Sequence, residues 1–148
     1  MNNFSFISFI VLFLTLNVFG EENYELEVFV DNLDHPWSLV ELSSGDLLLT
    51  ELSGKLKLIS SDGLTIKEIR NVPDVLFRGQ GGLSDITLHP DFDNNGWIYF
   101  SYSAFVDDRK ELNTLFVDRA KIKDSELVSI QNIFRAQAFR KAPAHFGA

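Results

Sequence analysis

Two stretches about fifty residues apart are built alike. Gly45 leads into Asp46-Leu-Leu-Leu49 and Gly96 into Trp97-Ile-Tyr-Phe100, each behind a polar turn, Ser43-Ser-Gly-Asp46 and Pro90-Asp-Phe-Asp-Asn-Asn-Gly96. Around both, apolar residues recur at every second position, the spacing of half-buried strands. The first set reads 37–42, 47–52, 55–60 and 64–69, and the second reads 83–88, 97–102, 114–119 and 127–134. Ser53-Gly54 and Ser61-Asp-Gly63 supply tight turns, because glycine accepts positive φ and Ser and Asp bond nearby backbone. A four-stranded antiparallel meander repeated at this period predicts an all-β fold of radially set β-propeller blades. On pattern alone, a β-sandwich of two similar meanders competes with it. A further alternating run, Tyr24 to Val30, predicts one more strand ahead of the first set.

The chain has 148 residues, which fits one ordinary domain. Its net charge of −8 argues against nucleic acid as a partner, since a phosphate backbone is bound by a basic face. With no cysteine there is no disulfide framework and no thiolate metal site. Residues 1–20 carry no charged side chain, and Phe6 to Phe19 is almost wholly apolar, yet too short and poorly flanked for a membrane span. Small residues at Val18 and Gly20, followed by Glu21-Glu22, predict a signal peptide over 1–20, cleaved after Gly20. The mature chain, 21–148, is then periplasmic or secreted, with no membrane association. An uncleaved anchor and a buried helix are the alternatives, and the lack of Lys or Arg near the N-terminus counts against a signal peptide.

The segments LDHPWSLVELSSGDLLLTELSGKLKLI, VPDV, GQGGLSDITLHPDFDNNGWIYFSYS and HFGA resemble the soluble quinoprotein aldose sugar dehydrogenases, the glucose/sorbosone dehydrogenase family. The resemblance runs from about Leu33 to the end. It implies a six-bladed β-propeller, exported to the periplasm, that carries pyrroloquinoline quinone (PQQ) and Ca2+ at its top near the axis. It also implies oxidation of an aldose at the anomeric carbon by hydride transfer to the quinone, with an external electron acceptor. On this reading blades occupy about 33–70 and 83–137, and a third starts at 141–148. Relatives read His-Phe-Gly-Gly-Arg where this sequence has Ala148. The chain is therefore expected to be an N-terminal fragment holding two blades of six, inactive by itself, with most cofactor-binding groups contributed by later blades.

The resemblance makes His145 the catalytic base, a role that suits neutral imidazole. Without the motif, His145 reads as a surface or packing histidine. Gln80, between glycines that let backbone approach a ligand closely, is placed by the resemblance in the cleft against substrate or cofactor. Its alternative is a solvated side chain in a tight loop. Asp85 is expected to support that loop by hydrogen bonds. Of the other histidines, His89 is expected to shape the turn after a strand, and His35 to sit at the entry to the first blade beside Trp37, a core-packing residue. No His and carboxylate pair has metal spacing, and Asp91 to Asn95 lacks the ligand set of an EF-hand, so no metal ligand is assigned. A non-enzymatic extracellular propeller serving as a binding module is the alternative function.

Overall fold

The computed structural model describes residues 24–146. The expected signal peptide, and the last two residues of the HFGA motif, lie outside the described residues. Eight strands form two four-stranded antiparallel sheets, each in chain order. The first holds β1 (Pro36–Glu41), β2 (Leu47–Glu51), β3 (Lys55–Ile59) and β4 (Ile66–Ile69). The second holds β5 (Leu83–Leu88), β6 (Trp97–Phe105), β7 (Asn113–Lys123) and β8 (Glu126–Arg135). A single helical turn, α1 (Phe92–Asn95), links β5 to β6. Gly45, Gly54, Gly63 and Gly96 all take positive φ, as their turns require.

Alternation along the strands decides which side chains meet between the sheets. Leu48, Leu56 and Ile69 of the first sheet join Leu83, Ile86, Ile98, Phe100, Tyr102, Ala120 and Leu127 of the second in one core cluster. Full burial of each Leu or Ile contributes about 1.5–3 kcal/mol, so this shared face is the main source of cohesion between the sheets. Polar ties fix their register at both ends. Beside β1 and β5, Thr50 Oγ1 donates to the Ser84 carbonyl at 2.6 Å and Leu83 N–H to the Leu52 carbonyl at 3.2 Å. Beside β4 and β8, Arg70 N–H donates to the Ser125 carbonyl at 3.0 Å, and Leu127 N–H donates to the Arg70 carbonyl at 2.9 Å. Two meanders of the same strand order, joined first strand to first strand and last to last, are neighbouring blades of a β-propeller.

Three expectations are corrected. Residues 24–30 take no place in either sheet, and Leu26 and Val28 are exposed. A period of two makes a chain extended, but a strand also needs a partner edge in register, which tertiary context decides. Trp37 is half exposed rather than packed in the core. It sits where the β1–β2 register shifts, between Pro36 and Ser38, and Ser38 takes the side facing the second sheet, where its Oγ accepts the Ile86 N–H at 3.3 Å. Asp85 ties its surroundings through its backbone N–H, which donates to Ser101 Oγ at 3.1 Å, while its side chain is exposed. His89 shapes its turn as expected: Nδ1 accepts the Asp91 N–H at 2.9 Å, and its carbonyl accepts the Phe92 N–H at 2.9 Å.

Candidate functional site

The loop over residues 71–82 carries Gln80 from β4 to β5 across one end of the two sheets. Ser103, buried near the end of β6, holds it down. Its Oγ donates to the Leu76 carbonyl at 3.0 Å and accepts the Gly82 N–H at 2.8 Å, and its carbonyl accepts the Leu76 N–H at 2.7 Å. So close an approach leaves no room for a side chain at residue 81. A Cβ on Gly81 would come within 2.5 Å of Ser103 Oγ and 2.6 Å of the Leu76 carbonyl oxygen.

The segment following β8 returns to the same end. Arg140 pairs with Asn113 at the start of β7 through both backbone bonds, N–H to carbonyl each way at 2.8 and 3.0 Å. Thr114 Oγ1 donates to the Ala136 carbonyl at 2.9 Å. The chain then passes over the loop, where Pro143 O accepts the Gln80 N–H at 3.0 Å and packs on Gly79, whose missing Cβ makes the contact possible.

Gln80 and His145, 65 residues apart, meet here. The His145 N–H donates to Gln80 Oε1 at 2.9 Å. The Arg140 guanidinium donates through Nη1 to the His145 carbonyl at 3.2 Å. His145 has φ of 61°, in the left-handed region. Both side chains are exposed, and neither imidazole nitrogen has a partner among the described residues. A cavity of about 70 Å³ lies beside His145, lined also by Leu115, Ala138, Arg140 and Phe146 among others. Chemically, this is an accessible imidazole held by its backbone, with a carboxamide NH2 beside it. Arg78, also exposed and with no side-chain partner among the described residues, adds a cation two positions before Gln80.

The remaining candidates lie elsewhere. The His35 ring packs edge-on against Phe77 with centroids 5.3 Å apart and its Nδ1 contacts Asp34 Oδ1 at 2.5 Å. His89 stays at the opposite end of β5, stacked on Tyr99. A larger cleft of about 740 Å³ between the 53–54 turn, residues 72–75 and residues 104–110 contains neither Gln80 nor His145. Among the described residues no group of three or more His, Cys, Asp or Glu converges as a metal ion requires. Sequence reasoning missed Ser103 and Arg140. A serine among the large residues of β6 was a usable signal for the first. Arg140 lies in irregular chain and gave none.

The sequence model of the family described as Glucose / Sorbosone dehydrogenase matches residues 33–148, which include the loop, Gln80 and His145. The chain belongs to the glucose/sorbosone dehydrogenase family. Among family relatives, aldose sugar dehydrogenase YliI of Escherichia coli is 34% identical over 123 residues, covering 82% of this chain and 33% of that protein. Quinoprotein glucose dehydrogenase B of Acinetobacter calcoaceticus is 34% identical over 83 residues, covering 54% of this chain and 17% of that protein. A solved glucose dehydrogenase superposes with a TM-score of 0.71 at 33% identity, over 78% of this chain and 34% of that one. The soluble aldose sugar dehydrogenase of E. coli, in its apo form, gives 0.69 at 34% identity, over 76% and 33%. These neighbours are β-propellers, which decides against the sandwich. The chain spans about a third of the length of these solved relatives.

Proposed function

We propose that these two blades belong to an enzyme that oxidises an aldose at its anomeric carbon, with His145 as the base and PQQ as the cofactor. The observation that carries this reading is the hydrogen bond from the His145 N–H to Gln80 Oε1, which joins the two residues that the family resemblance singles out. The activity is that of a complete propeller, to which this chain contributes part of one end; the 148 residues by themselves are read as inactive.

The chemistry follows from what the side chains offer. An uncharged imidazole nitrogen of His145 takes the proton of the anomeric hydroxyl as the C1–H bond breaks, and oxidation of a cyclic aldose yields the lactone. When bound, the quinone accepts the hydride that leaves C1. An anionic quinone rich in carbonyl oxygens calls for hydrogen-bond donors and cations. The free NH2 of Gln80 and the guanidinium of Arg78 are groups of that kind, so the residues present fit it at one edge. Ca2+ remains part of the proposal with ligands outside the described residues, because no suitable group converges among them. An external electron acceptor, periplasmic or secreted location and a signal peptide cleaved after Gly20 complete the reading; for these the support is the family resemblance and the uncharged, apolar residues 1–20.

The test is His145→Ala in the full-length protein loaded with PQQ and Ca2+. Turnover of an aldose, followed by dye reduction, should fall by about 10² to 10⁴, the usual worth of a positioned general base. Quinone binding, followed by absorbance, should be retained. Near-normal turnover would show that His145 is not the base.

A further inference from the structure

His145 adopts a backbone conformation that residues with a β-carbon seldom take, with φ of 61°. Such a conformation persists where the surroundings over-determine it. Here both peptide groups of the residue are claimed by side chains. Its N–H donates to Gln80 Oε1 at 2.9 Å and its carbonyl accepts Arg140 Nη1 at 3.2 Å. Because the histidine supplies the hydrogen, the Gln80 atom facing it has to be the carbonyl oxygen, which fixes the orientation of that amide.

Each holder is itself anchored. The Gln80 N–H donates to Pro143 O at 3.0 Å, so the loop and the 143–145 segment are joined twice, backbone to backbone and side chain to backbone. Arg140 is bound to Asn113 of β7 in both directions. The two anchors come from opposite borders of the second sheet, the approach to β5 and the exit from β8. Since φ and ψ set where Cβ points, holding the His145 peptide at both ends holds the imidazole's origin.

We propose that Gln80 and Arg140 are positioning residues that clamp the His145 peptide and keep its ring aimed, the Gln80 carbonyl being spent on this task rather than on substrate. The proposal rests on the reading of His145 as the base only for its catalytic consequence; the clamp itself is a structural claim. It leaves the Gln80 NH2 as the one part of that side chain able to meet a ligand.

The deciding experiment separates the two ends of the Gln80 amide in the full-length protein. Gln80→Glu keeps an oxygen acceptor and loses the NH2, whereas Gln80→Met loses both. Amide hydrogen exchange at His145 should quicken about tenfold in Gln80→Met, the factor expected from losing one hydrogen bond, and stay near wild type in Gln80→Glu. On the carbonyl side, Arg140→Met should quicken the same exchange and Arg140→Lys, which keeps a donor, should largely restore it. In the loaded enzyme Gln80→Met should lower kcat more than it raises KM. Exchange unchanged in Gln80→Met, or quickened equally in Gln80→Glu, would overturn the clamp. So would kinetics in which both Gln80 variants raise KM alike with kcat intact, because the NH2 would then be the working end. If exchange behaves as expected while His145→Ala retains turnover, the clamp stands and the assignment of the base falls.

Discussion

In the first sheet, the buried carboxylate sits at the end of β2. Glu51 is fully buried, and one of its oxygens, Oε1, takes both Lys57 Nζ and the Asp34 N–H at 2.6 Å, while Oε2 has no partner. In the second sheet the buried carboxylate sits in mid-strand on β7. Asp118 is buried with one donor on each oxygen, Asn132 Nδ2 at 2.7 Å and the Tyr102 hydroxyl at 2.9 Å. The first arrangement depends on an opposite charge and is only half satisfied. The second is satisfied by neutral groups on the two strands that flank β7, Tyr102 on β6 and Asn132 on β8, and therefore ties the sheet together. Glu51 lies on the side of β2 away from the second sheet, since its neighbour Thr50 faces Ser84. There it fastens the segment ahead of β1 to the blade.

The sharpest way to break this comparison is to remove Lys57, which is itself mostly buried. Lys57→Met keeps the packing stem but leaves Glu51 as an uncompensated buried charge. The expected loss is about 3–5 kcal/mol, the range seen when one partner of a buried pair is deleted. Chemical denaturation would measure it. A loss below about 1 kcal/mol would mean that the pair behaves as a solvated surface bridge instead.

The second arrangement should respond less. Tyr102→Phe keeps the ring that stacks between Phe100 and Phe116 and removes only the hydroxyl, leaving one Asp118 oxygen without a donor. The expected cost is about 1–3 kcal/mol. Burial first, and then the hydrogen bond and charge of Asp118, push the Tyr102 hydroxyl well above the ordinary tyrosine range. A raised pKa contributes stability that is present below the unfolded value and is lost as pH rises past it. The gap between wild type and Tyr102→Phe should therefore narrow above about pH 10, where tyrosine in the unfolded chain ionises. Denaturation curves at pH 8 and pH 11 would show it; a constant gap would place Tyr102 outside the network.

How much of this was legible in the sequence follows the range of each interaction. The eight strands were readable because alternation and turn residues act within a few positions, and both meanders came out in the expected order. Pairing of distant pieces was not. Tyr24 to Val30 has the right period but joins neither sheet, and Trp37 has the right chemistry for a core but lies at a register shift. At the site, Gln80 and His145 were nameable from motifs, whereas the Arg140 and Ser103 contacts depend on where chain segments cross after folding. The Glu51 to Lys57 bond, and the Asp34 N–H that meets Glu51 from ahead of β1, likewise depend on where segments cross after folding.

The smallest expected effect concerns the outermost turns of the two sheets. Between β7 and β8 the turn is made by Asp124 and Ser125, both at positive φ, and it is held from outside by Arg70, which donates to the Ser125 carbonyl. Between β3 and β4 the turn is held from within its own sheet, where Asp46 of the β1–β2 turn accepts the Ser61 N–H at 3.0 Å and Asp62 braces the turn itself. Asp62 accepts the Ser60 hydroxyl at 2.5 Å and the Leu64 N–H at 3.0 Å. Those two bonds, the hydroxyl first, lower the Asp62 pKa below the ordinary carboxylate value. A lowered pKa contributes stability that is present above the unfolded value, about 3.9, and is lost as pH falls through the folded one. Asp62→Asn should thus melt slightly earlier than wild type at pH 7, by roughly one or two degrees, because surface positions rarely matter more. By pH 2 the two proteins should melt together. An Asp62→Asn difference that grew on acidification would mean that the turn is held by something other than the ionised carboxylate, and the distinction between a turn braced from within and one braced by its neighbour would not stand.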